Sequence, residues 1–233
     1  MKWLYNLLDD FIGLLFPRTC PGCGTTLVRN ENIICTECLF SIPVNNFHTE
    51  TDNPVARLFW GRCVVEKAAS YSEFTRNSRV RSMIHNLKYR GITEVGPEMG
   101  RMYGYTLKSS GFTEGIDIVI AVPLHRLKQR KRGYNQSLLI AQGISEATGI
   151  PLRQDILFRS MKSNTQTRKS RFERWTNVDG IFAVSGAAAI AGKHILLVDD
   201  VITTGSTIEA CVNELRKTDG VKVSVVSLAY AVM

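Results

Sequence analysis

The sequence lacks the features of membrane and secreted proteins. No apolar run is long enough to span a bilayer. The apolar N-terminus is interrupted by Asp9 and Asp10, and no small-residue cleavage site follows it. No internal repeat or low-complexity tract stands out either. We therefore expect a cytoplasmic protein without a transmembrane segment or a signal peptide.

Two nucleotide-binding signatures are also absent. There is no G-x-x-x-x-G-K-[ST] sequence of the kind that cradles phosphates in P-loop proteins. There is likewise no G-x-G-x-x-G sequence near the start of a strand–helix–strand unit, which a dinucleotide-binding domain would need. Any phosphate site must therefore be built in another way.

The first 16 residues predict an amphipathic helix that ends before Pro17. Its apolar residues recur at helical spacing, namely Trp3, Leu4, Leu7, Leu8, Phe11, Leu14 and Leu15. The simplest interpretation is that this face packs on the protein itself. A helix that lies on a membrane surface or docks on a partner stays open as an alternative.

Positive charge is concentrated in two segments. Residues 125–132 (HRLKQRKR) contain five basic residues and no acid, and residues 159–174 (RSMKSNTQTRKSRFER) contain six basic residues and one acid. Together they carry +10 of a chain whose net charge is +8, so the remainder is slightly acidic. This asymmetry indicates that the two segments bind a polyanion, although solvated helix faces would give the same pattern.

Four of the six cysteines form two C-x-x-C pairs that are separated by eleven residues. Two such pairs can present four thiolates to one tetrahedral Zn²⁺, whereas disulfides are typical of secreted proteins. We therefore predict a structural zinc module. Its ligands would be Cys20, Cys23, Cys35 and Cys38.

The rest of the chain predicts an α/β fold. A polar, proline-containing segment follows the cysteines, and then apolar strands alternate with amphipathic helices, which favours a mostly parallel sheet flanked by helices. The predicted division is an N-terminal helix (1–16), a zinc module (17–45), a linker (46–60) and an α/β domain (61–233).

The segment HILLVDDVITTGST (194–207) is the strongest candidate for a binding site. The strand HILLV would deliver Asp199 and Asp200 to the edge of the sheet where ligands bind. A hydroxyl-rich turn, whose glycine allows a close backbone approach, then leads into a helix whose N-terminus favours an anion. The pattern predicts carboxylates beside a phosphate loop. That loop consists of Thr203, Thr204, Gly205, Ser206 and Thr207.

A response-regulator receiver can also carry an acidic pair after an apolar strand. Such a domain would need roughly a hundred further residues beyond the pair. Only 33 residues of this 233-residue chain follow Asp200, which excludes that interpretation.

The segment ILLVDDVITTGST closely resembles the loop of type I phosphoribosyltransferases that binds 5-phosphoribosyl-1-pyrophosphate (PRPP). The resemblance implies that Asp199 and Asp200 engage the ribose hydroxyls and that residues 203–207 hold the 5′-phosphate. It also implies Mg²⁺, bound together with PRPP. The expected activity is pentosyl transfer from PRPP.

The order of motifs along nearly the whole chain resembles the ComF family. A four-cysteine module is followed by LKYRG, VPLHRLKQRKRGYNQS and NTQTRKSRFERWTNVDGIF, and then by the PRPP loop. The resemblance implies a role in competence, DNA uptake or the use of extracellular DNA. Single-stranded DNA, and a DNA-uptake helicase or another competence protein, are the partners it suggests.

The two basic segments fit this scheme as pyrophosphate-binding loops. Their candidate contacts are Arg126, Arg130, Lys131, Arg132, Arg168 and Arg171. No residue stands out as a general base for an acceptor, so we assign no catalytic residue.

A second hypothesis is a non-catalytic module that binds single-stranded DNA or senses PRPP on the same fold. Cationic grooves with interleaved aromatic residues are typical of single-strand binding. Tyr134, Phe172 and Trp175 lie in or beside the basic segments and are the candidates for base stacking.

Overall fold

In the computed structural model, residues 17–76, 78–159 and 181–231 are described. The predicted N-terminal helix (1–16) and most of the second basic segment lie outside these ranges. Within them, no helix combines the length and apolarity needed to cross a membrane.

The helices and strands alternate as the apolar pattern predicts. Two short helices, α1 (Thr36–Ser41) and α2 (Pro54–Arg57), precede β1 (Ala68–Glu73), α3 (Arg79–Tyr89) and α4 (Val95–Ser109). The middle of the chain forms β2 (Ile118–Ala121), α5 (Arg126–Arg132), α6 (Gln136–Thr148), β3 (Leu152–Arg153) and β4 (Leu157–Arg159). The last part forms β5 (Phe182–Val184), a 3₁₀ turn (Ala187–Ala189), β6 (His194–Ile202), α7 (Ser206–Leu215) and β7 (Lys222–Tyr230).

Five strands form one parallel sheet in the order β1-β7-β6-β2-β3, which confirms the predicted fold class. The strands β4 and β5 form a separate antiparallel pair. From β2 the chain continues to β3 on one side, and from β6 it continues to β7 on the other. The strand order therefore reverses between β2 and β6, and ligands of open parallel sheets bind at the carboxyl ends of strands beside such a point.

Each face of the sheet is covered by its own hydrophobic core. One core joins the sheet to α3, α4, α6 and the cysteine module, and it includes the buried Leu196 and Val198 of β6. The other joins the sheet to α2, α7 and the β4–β5 pair, and it includes the buried Ile195 and Leu197. The alternation within β6 follows from the two-residue period of a strand.

Helices α4 and α6 approach each other closely because they meet at glycines. A Cβ atom at Gly100 would lie 2.2 Å from the carbonyl oxygen of Ile140, and one at Gly143 would lie 2.1 Å from that of Pro97. Neither position can hold a larger residue without moving the helices apart. This packing fixes the start of α6, which carries a side chain of the candidate site.

The segment predicted to be a linker contains structured residues. Helix α2 begins at Pro54, and the side chain of Asn53 caps it by accepting hydrogen bonds from the backbone N–H groups of Val55 and Ala56. Val55 and Phe59 are buried in the second core. The boundaries of the domains stay a prediction, but this part of the segment packs against the sheet.

Candidate functional site

The two aspartates lie within the last part of β6 rather than directly after it. We expected the strand to end with HILLV, but pairing with β7 continues through Asp199 and on to Ile202. Asp200 is buried and Asp199 is half-buried. The longer strand places both carboxylates in its carboxyl-terminal part, beside the point where the strand order reverses.

Side chains from two helices meet this acidic pair. The hydroxyl of Ser137, at the start of α6, donates a hydrogen bond to Asp199 Oδ1 over 2.8 Å. The ammonium group of Lys88, near the end of α3, lies 2.8 Å from Asp200 Oδ2. Both residues lie in the motifs LKYRG and VPLHRLKQRKRGYNQS, but the sequence predicted no role for either side chain.

The pair of carboxylates has an unusual proton affinity. Burial and the neighbouring charge of Asp200 raise the pKa of Asp199 to about 7, although the hydroxyl of Ser137 and the charge of Lys88 act in the opposite direction. Two adjacent buried carboxylates repel each other unless a proton, a cation or a hydrogen-bond donor lies between them. The site is therefore suited to a ligand that brings hydroxyl groups or a metal ion.

The loop after β6 has the features of an anion site. Gly205 has a φ of 74°, in the left-handed region that favours glycine, and the ten-residue helix α7 begins at the next residue. The side chains of Thr203, Thr204, Ser206 and Thr207 are exposed there. Backbone N–H groups at a helix N-terminus favour negative charge. The predicted phosphate-loop residues are thus brought together in one turn.

This loop is held in place by an arginine for which the sequence predicted no role. Arg62 Nη1 donates to the carbonyl oxygen of Thr204 over 2.7 Å, and its Nη2 donates to Ser206 Oγ over 3.4 Å. The same guanidinium group forms an ion pair with Glu209 in the first turn of α7. It therefore offsets a carboxylate that would repel an anion at this helix N-terminus.

The acidic pair and Thr207 of the loop line one cleft of about 300 Å³, here called the strand-end cleft. The loop after β2 forms the opposite wall with Val122, Pro123, Leu124 and His125. Three segments contribute cationic side chains to the lining of the cleft, namely Lys88, Lys128, Arg132 and Arg159. Carboxylates therefore lie at its base, and cationic side chains surround them.

The first basic segment forms the exposed helix α5. The His125 side chain caps it by accepting a hydrogen bond from the backbone N–H of Leu127, which is a structural role. Of its predicted pyrophosphate contacts, Arg132 lines the strand-end cleft, and Arg126 lines an adjacent cavity of about 370 Å³. In the described part of the chain, Arg130 and Lys131 line neither cavity.

The predicted stacking residues are only partly described. Tyr134 is half-buried, packs against the first core and donates its hydroxyl hydrogen to the carbonyl oxygen of Leu87. Its ring is thus engaged within the protein. Arg168, Arg171, Phe172 and Trp175 lie outside the described residues, so their assignments stay predictions.

The four cysteines of the two pairs form one cluster. All four sulfur atoms lie within 4.8 Å of one another, and the Sγ atoms of Cys23 and Cys35 are 3.6 Å apart. With Zn–S bonds of about 2.3 Å, a tetrahedral site separates sulfurs by about 3.8 Å. The geometry therefore fits a zinc ion.

Hydrogen bonds to sulfur also suit thiolate ligands. Cys20 Sγ accepts from the backbone N–H of Gly22 at 3.4 Å and from that of Cys35 at 3.3 Å. The hydroxyl of Thr25 lowers the pKa of the Cys23 thiol to about 6, whereas burial raises the pKa of the Cys35 thiol. A bound cation would favour the thiolate form of all four.

Comparison with known proteins gives a family match and several relatives. A family model described as phosphoribosyl transferase domain matches residues 112–231. The DNA utilization protein YhgH of Shigella flexneri is 27% identical over 197 residues, which covers 81% of this chain and 80% of that protein. Competence protein F of Haemophilus influenzae is 29% identical over 153 residues, which covers 64% of this chain and 67% of that protein.

Among solved structures, the glutamine PRPP amidotransferase of B. subtilis, complexed with ADP and GMP, matches with a TM-score of 0.40 and 24% identity. That match covers 57% of this chain and 26% of the amidotransferase chain.

Proposed function

Because the chain belongs to the phosphoribosyl transferase domain family, and within it to the ComF proteins, we propose that it binds PRPP with Mg²⁺ in the strand-end cleft and acts in the uptake or use of DNA. The observation that carries the proposal is that the paired carboxylates and Thr207, in the first turn of α7, line one cleft, while the other loop hydroxyls lie in the turn that leads to it. The role with DNA is supported by the relatives, which are named for DNA utilization and for competence.

The geometry suits each part of PRPP separately. Asp199 and Asp200 would accept hydrogen bonds from the two ribose hydroxyls, which supply the donors that a crowded carboxylate pair needs. The 5′-phosphate would lie at the start of α7, where exposed hydroxyls and backbone N–H groups converge. Arg132 and Lys128 would face the pyrophosphate from the opposite wall.

The oxygen-rich donor set also fits Mg²⁺, which prefers carboxylate, phosphate and water oxygens. Asp199 and Asp200 would hold the ion through the ribose hydroxyls or through water. When bound, Mg²⁺ supplies Lewis-acid stabilisation of negative charge on the pyrophosphate. The remaining stabilisation would come from the chain itself, through the cationic side chains that line the cleft.

The proposed reaction is displacement at the ribose C1 atom. The bond between C1 and the pyrophosphate oxygen breaks, pyrophosphate leaves with the electron pair, and an acceptor nucleophile forms the new bond and loses its proton. The residues of the cleft can orient PRPP and neutralise the leaving group. The acceptor is left unassigned, because the described part of the cleft includes no clear pocket for one.

Calorimetry with PRPP and Mg²⁺ tests the binding half of the proposal. The double variant Asp199→Asn, Asp200→Asn should lower the affinity by at least about 100-fold, because it removes two charged acceptors. A control variant, Asp117→Asn, removes a carboxylate that pairs with Lys193. Asp117 lies far from the loop along the sequence, so this variant should bind PRPP normally. Wild-type affinity in the double variant would contradict the site assignment.

A second candidate function is a module that senses PRPP or binds DNA without turnover. The local excess of positive charge in the two basic segments favours it. A screen for pyrophosphate release from PRPP, with bases, amines and single-stranded DNA as acceptors, separates the two. Release with one acceptor class would establish a transferase, whereas binding without release would establish the module.

The cysteine cluster would hold a structural zinc ion. All four ligand positions are filled by cysteine, which is the composition of structural rather than catalytic sites. Metal analysis of the purified protein should find one zinc per chain.

A further inference from the structure

A second cleft, of about 420 Å³, lies between the cysteine module and helix α3. One wall is the loop that contains Cys20 and Cys23, and the other is the face of α3 that presents Arg81, His85 and Asn86. We call it the module cleft. It lies apart from the strand-end cleft, and no residue lines both.

The walls of the module cleft are fixed by direct contacts. Asn86 Nδ2 donates to the carbonyl oxygen of Pro21 over 2.6 Å, which ties the cysteine loop to α3. A Cβ atom at Gly22 would lie 2.7 Å from Met83 Cε and 2.8 Å from Cys38 Sγ. The loop therefore rests against the helix at a distance that only glycine permits, so the cleft has a defined shape.

The charge of the module cleft is positive. Its lining includes Arg76, Arg81 and Arg90, all exposed, and includes no carboxylate. Among the described residues, none of these arginines has a carboxylate within ion-pair distance. Arg81 is instead held by neutral partners, since its Nη1 donates to the carbonyl oxygen of Arg76 over 3.1 Å and its guanidinium carbon lies 5.7 Å from the centre of the Phe74 ring. Among the described residues, the cleft thus offers three arginines that no carboxylate neutralises, and their charge exceeds the net charge of about −2 that a zinc ion with four thiolates would carry.

The same helix also reaches the strand-end cleft. Lys88 and Tyr89 line that cleft one turn beyond His85. The rings of His85 and Tyr89 lie 4.9 Å apart, and the guanidinium carbon of Arg132 lies 5.6 Å from the centre of the Tyr89 ring. Tyr89 is 70% exposed. A row of rings and cations therefore connects the two clefts along α3.

We propose that a single-stranded nucleic acid lies along α3, with its phosphates in the module cleft and an unpaired base against Tyr89. Cations track the backbone and exposed aromatic rings stack on bases in proteins that bind single strands. A duplex keeps its bases paired and cannot offer one to Tyr89. The proposal rests on the proposed role in DNA handling, but it is independent of PRPP turnover.

Fluorescence anisotropy with labelled oligonucleotides of about 15 nucleotides tests this path along α3, since single-strand binding sites span about 4–16 nucleotides. The variant Arg81→Gln, Arg90→Gln should weaken binding of a thymidine oligomer by at least about 10-fold at low salt. It should also reduce the dependence of affinity on salt by about 1.4 in the log–log slope, because about 0.7 is expected for each phosphate contact. A uridine oligomer in parallel identifies whether DNA or RNA is the preferred strand.

The matched control is Lys108→Gln, Lys222→Gln. It removes the same charge from two exposed lysines that line neither cleft, and it should bind the oligomer like the wild type. A Tyr89→Leu variant should lose about 10-fold in affinity for the single strand, because stacking is worth about 1–3 kcal/mol per base. Zinc content and thermal midpoint verify that each variant is folded.

Three results would overturn the proposal: wild-type binding by the arginine variant, equal losses in the lysine control, or a duplex that binds as tightly as the single strand. PRPP calorimetry on the same proteins separates this outcome from failure of the proposed function. The arginine variant should bind PRPP normally. Loss of oligomer binding with normal PRPP binding supports the path, whereas a wild-type protein that binds PRPP but no oligomer refutes the path alone.

Discussion

The cysteine module and the strand-end cleft are built in different ways. All four cysteines of the module come from one stretch of 19 residues, Cys20 to Cys38, and its shape follows from two short spacings and a glycine-containing turn. The cleft draws its side chains from segments that lie more than a hundred residues apart, from Lys88 to Thr207. A site of the first kind can be identified from local sequence, whereas a site of the second kind depends on the whole sheet.

The two regions nevertheless share a core. Cys20, Cys35 and Cys38 are buried against residues of α3, and α3 also brings Lys88 to the acidic pair. Unfolding of the module should therefore lower the stability of the shared core. It should change the strand-end cleft only by displacing α3.

The largest expected effect is the loss of zinc. The variant Cys35→Ser, Cys38→Ser removes two of four ligands, and structural zinc in small modules contributes on the order of 10 kcal/mol to their folding. We expect no stoichiometric zinc, a lower thermal midpoint, and fast hydrogen exchange across residues 17–45. Elemental analysis and hydrogen-exchange mass spectrometry measure these changes.

Exchange in β6 and β7 serves as the internal control for that variant. These strands lie at the centre of the sheet and should keep their protection below the thermal midpoint. Equal loss of protection in the module and in the sheet would show that the two regions fold as one unit, which contradicts the comparison above.

The next largest effect concerns the ion pair between Lys88 and Asp200. Lys88→Met keeps most of the apolar stem but leaves a buried carboxylate pair without its cation. We expect the free energy of unfolding to fall by about 1–3 kcal/mol, since an unpaired buried group costs about this much. Urea denaturation measures it, with Lys108→Met as a control on an exposed lysine. An unchanged midpoint would mean that Lys88 does not compensate the pair.

The predicted and observed structures differ where distant residues meet. The alternation of strands and helices follows from apolar periodicity and is found in the described residues, whereas the predicted N-terminal helix (1–16) lies outside them. Lys88 lies in the LKYRG motif, but neither its contact nor that of Arg62 can be predicted locally, because both arise only when α3 and the segment after α2 fold against β6 and α7. Tyr134 was predicted to stack on bases, but its hydroxyl donates a hydrogen bond to the carbonyl oxygen of Leu87. Nothing in the sequence around Tyr134 predicts this contact.

The structure within the predicted linker could have been anticipated in part. Asn53 followed by Pro54 is a helix-start signal, because asparagine caps a helix and proline favours the first helical position. The polar, proline-containing composition of the segment predicted a linker instead. The burial of Phe59 beside Gly205, with 3.0 Å between the phenyl Cε1 and a Cβ built on the glycine, is a tertiary contact that composition does not reveal.

A smaller effect is expected for Arg62, which belongs to that segment. Arg62→Gln removes a guanidinium that bonds to Thr204 and Ser206 and neutralises Glu209. PRPP affinity should fall by about 10-fold, because one charged hydrogen-bonding group is worth about 1.5–3 kcal/mol at most and acts here through the loop. Calorimetry measures the change.

Arg57→Gln is the matched control for Arg62. It removes an exposed arginine from the same segment, where it pairs with Asp52 and touches no part of the loop. A loss of affinity as large as that of Arg62→Gln would indicate that the segment acts through general charge and not by holding the phosphate loop.

A further effect is a dependence of stability on pH. Burial and the charge of Asp200 raise the pKa of Asp199 from its ordinary 3.8 to about 7 in the folded protein. Between these two values the native state binds more protons than the unfolded state, so this group's stabilising contribution is present below pH 4 and is lost as the pH rises to about 7. Asp199→Asn cannot titrate, and its stability relative to wild type should therefore increase between pH 5 and pH 8.

Asp155 gives the opposite sign and completes the test. Its hydrogen bonds from exposed Arg153 lower its pKa to about 2, so its contribution is present above pH 4 and declines as the pH falls toward 2. Chemical denaturation of Asp199→Asn, Asp155→Asn and wild type across pH 3–8 separates the two carboxylates. If the difference between Asp199→Asn and wild type were constant over this range, the acidic pair would be solvated and fully ionised, and the cleft would lack the proton affinity that makes it a site for hydroxyl groups.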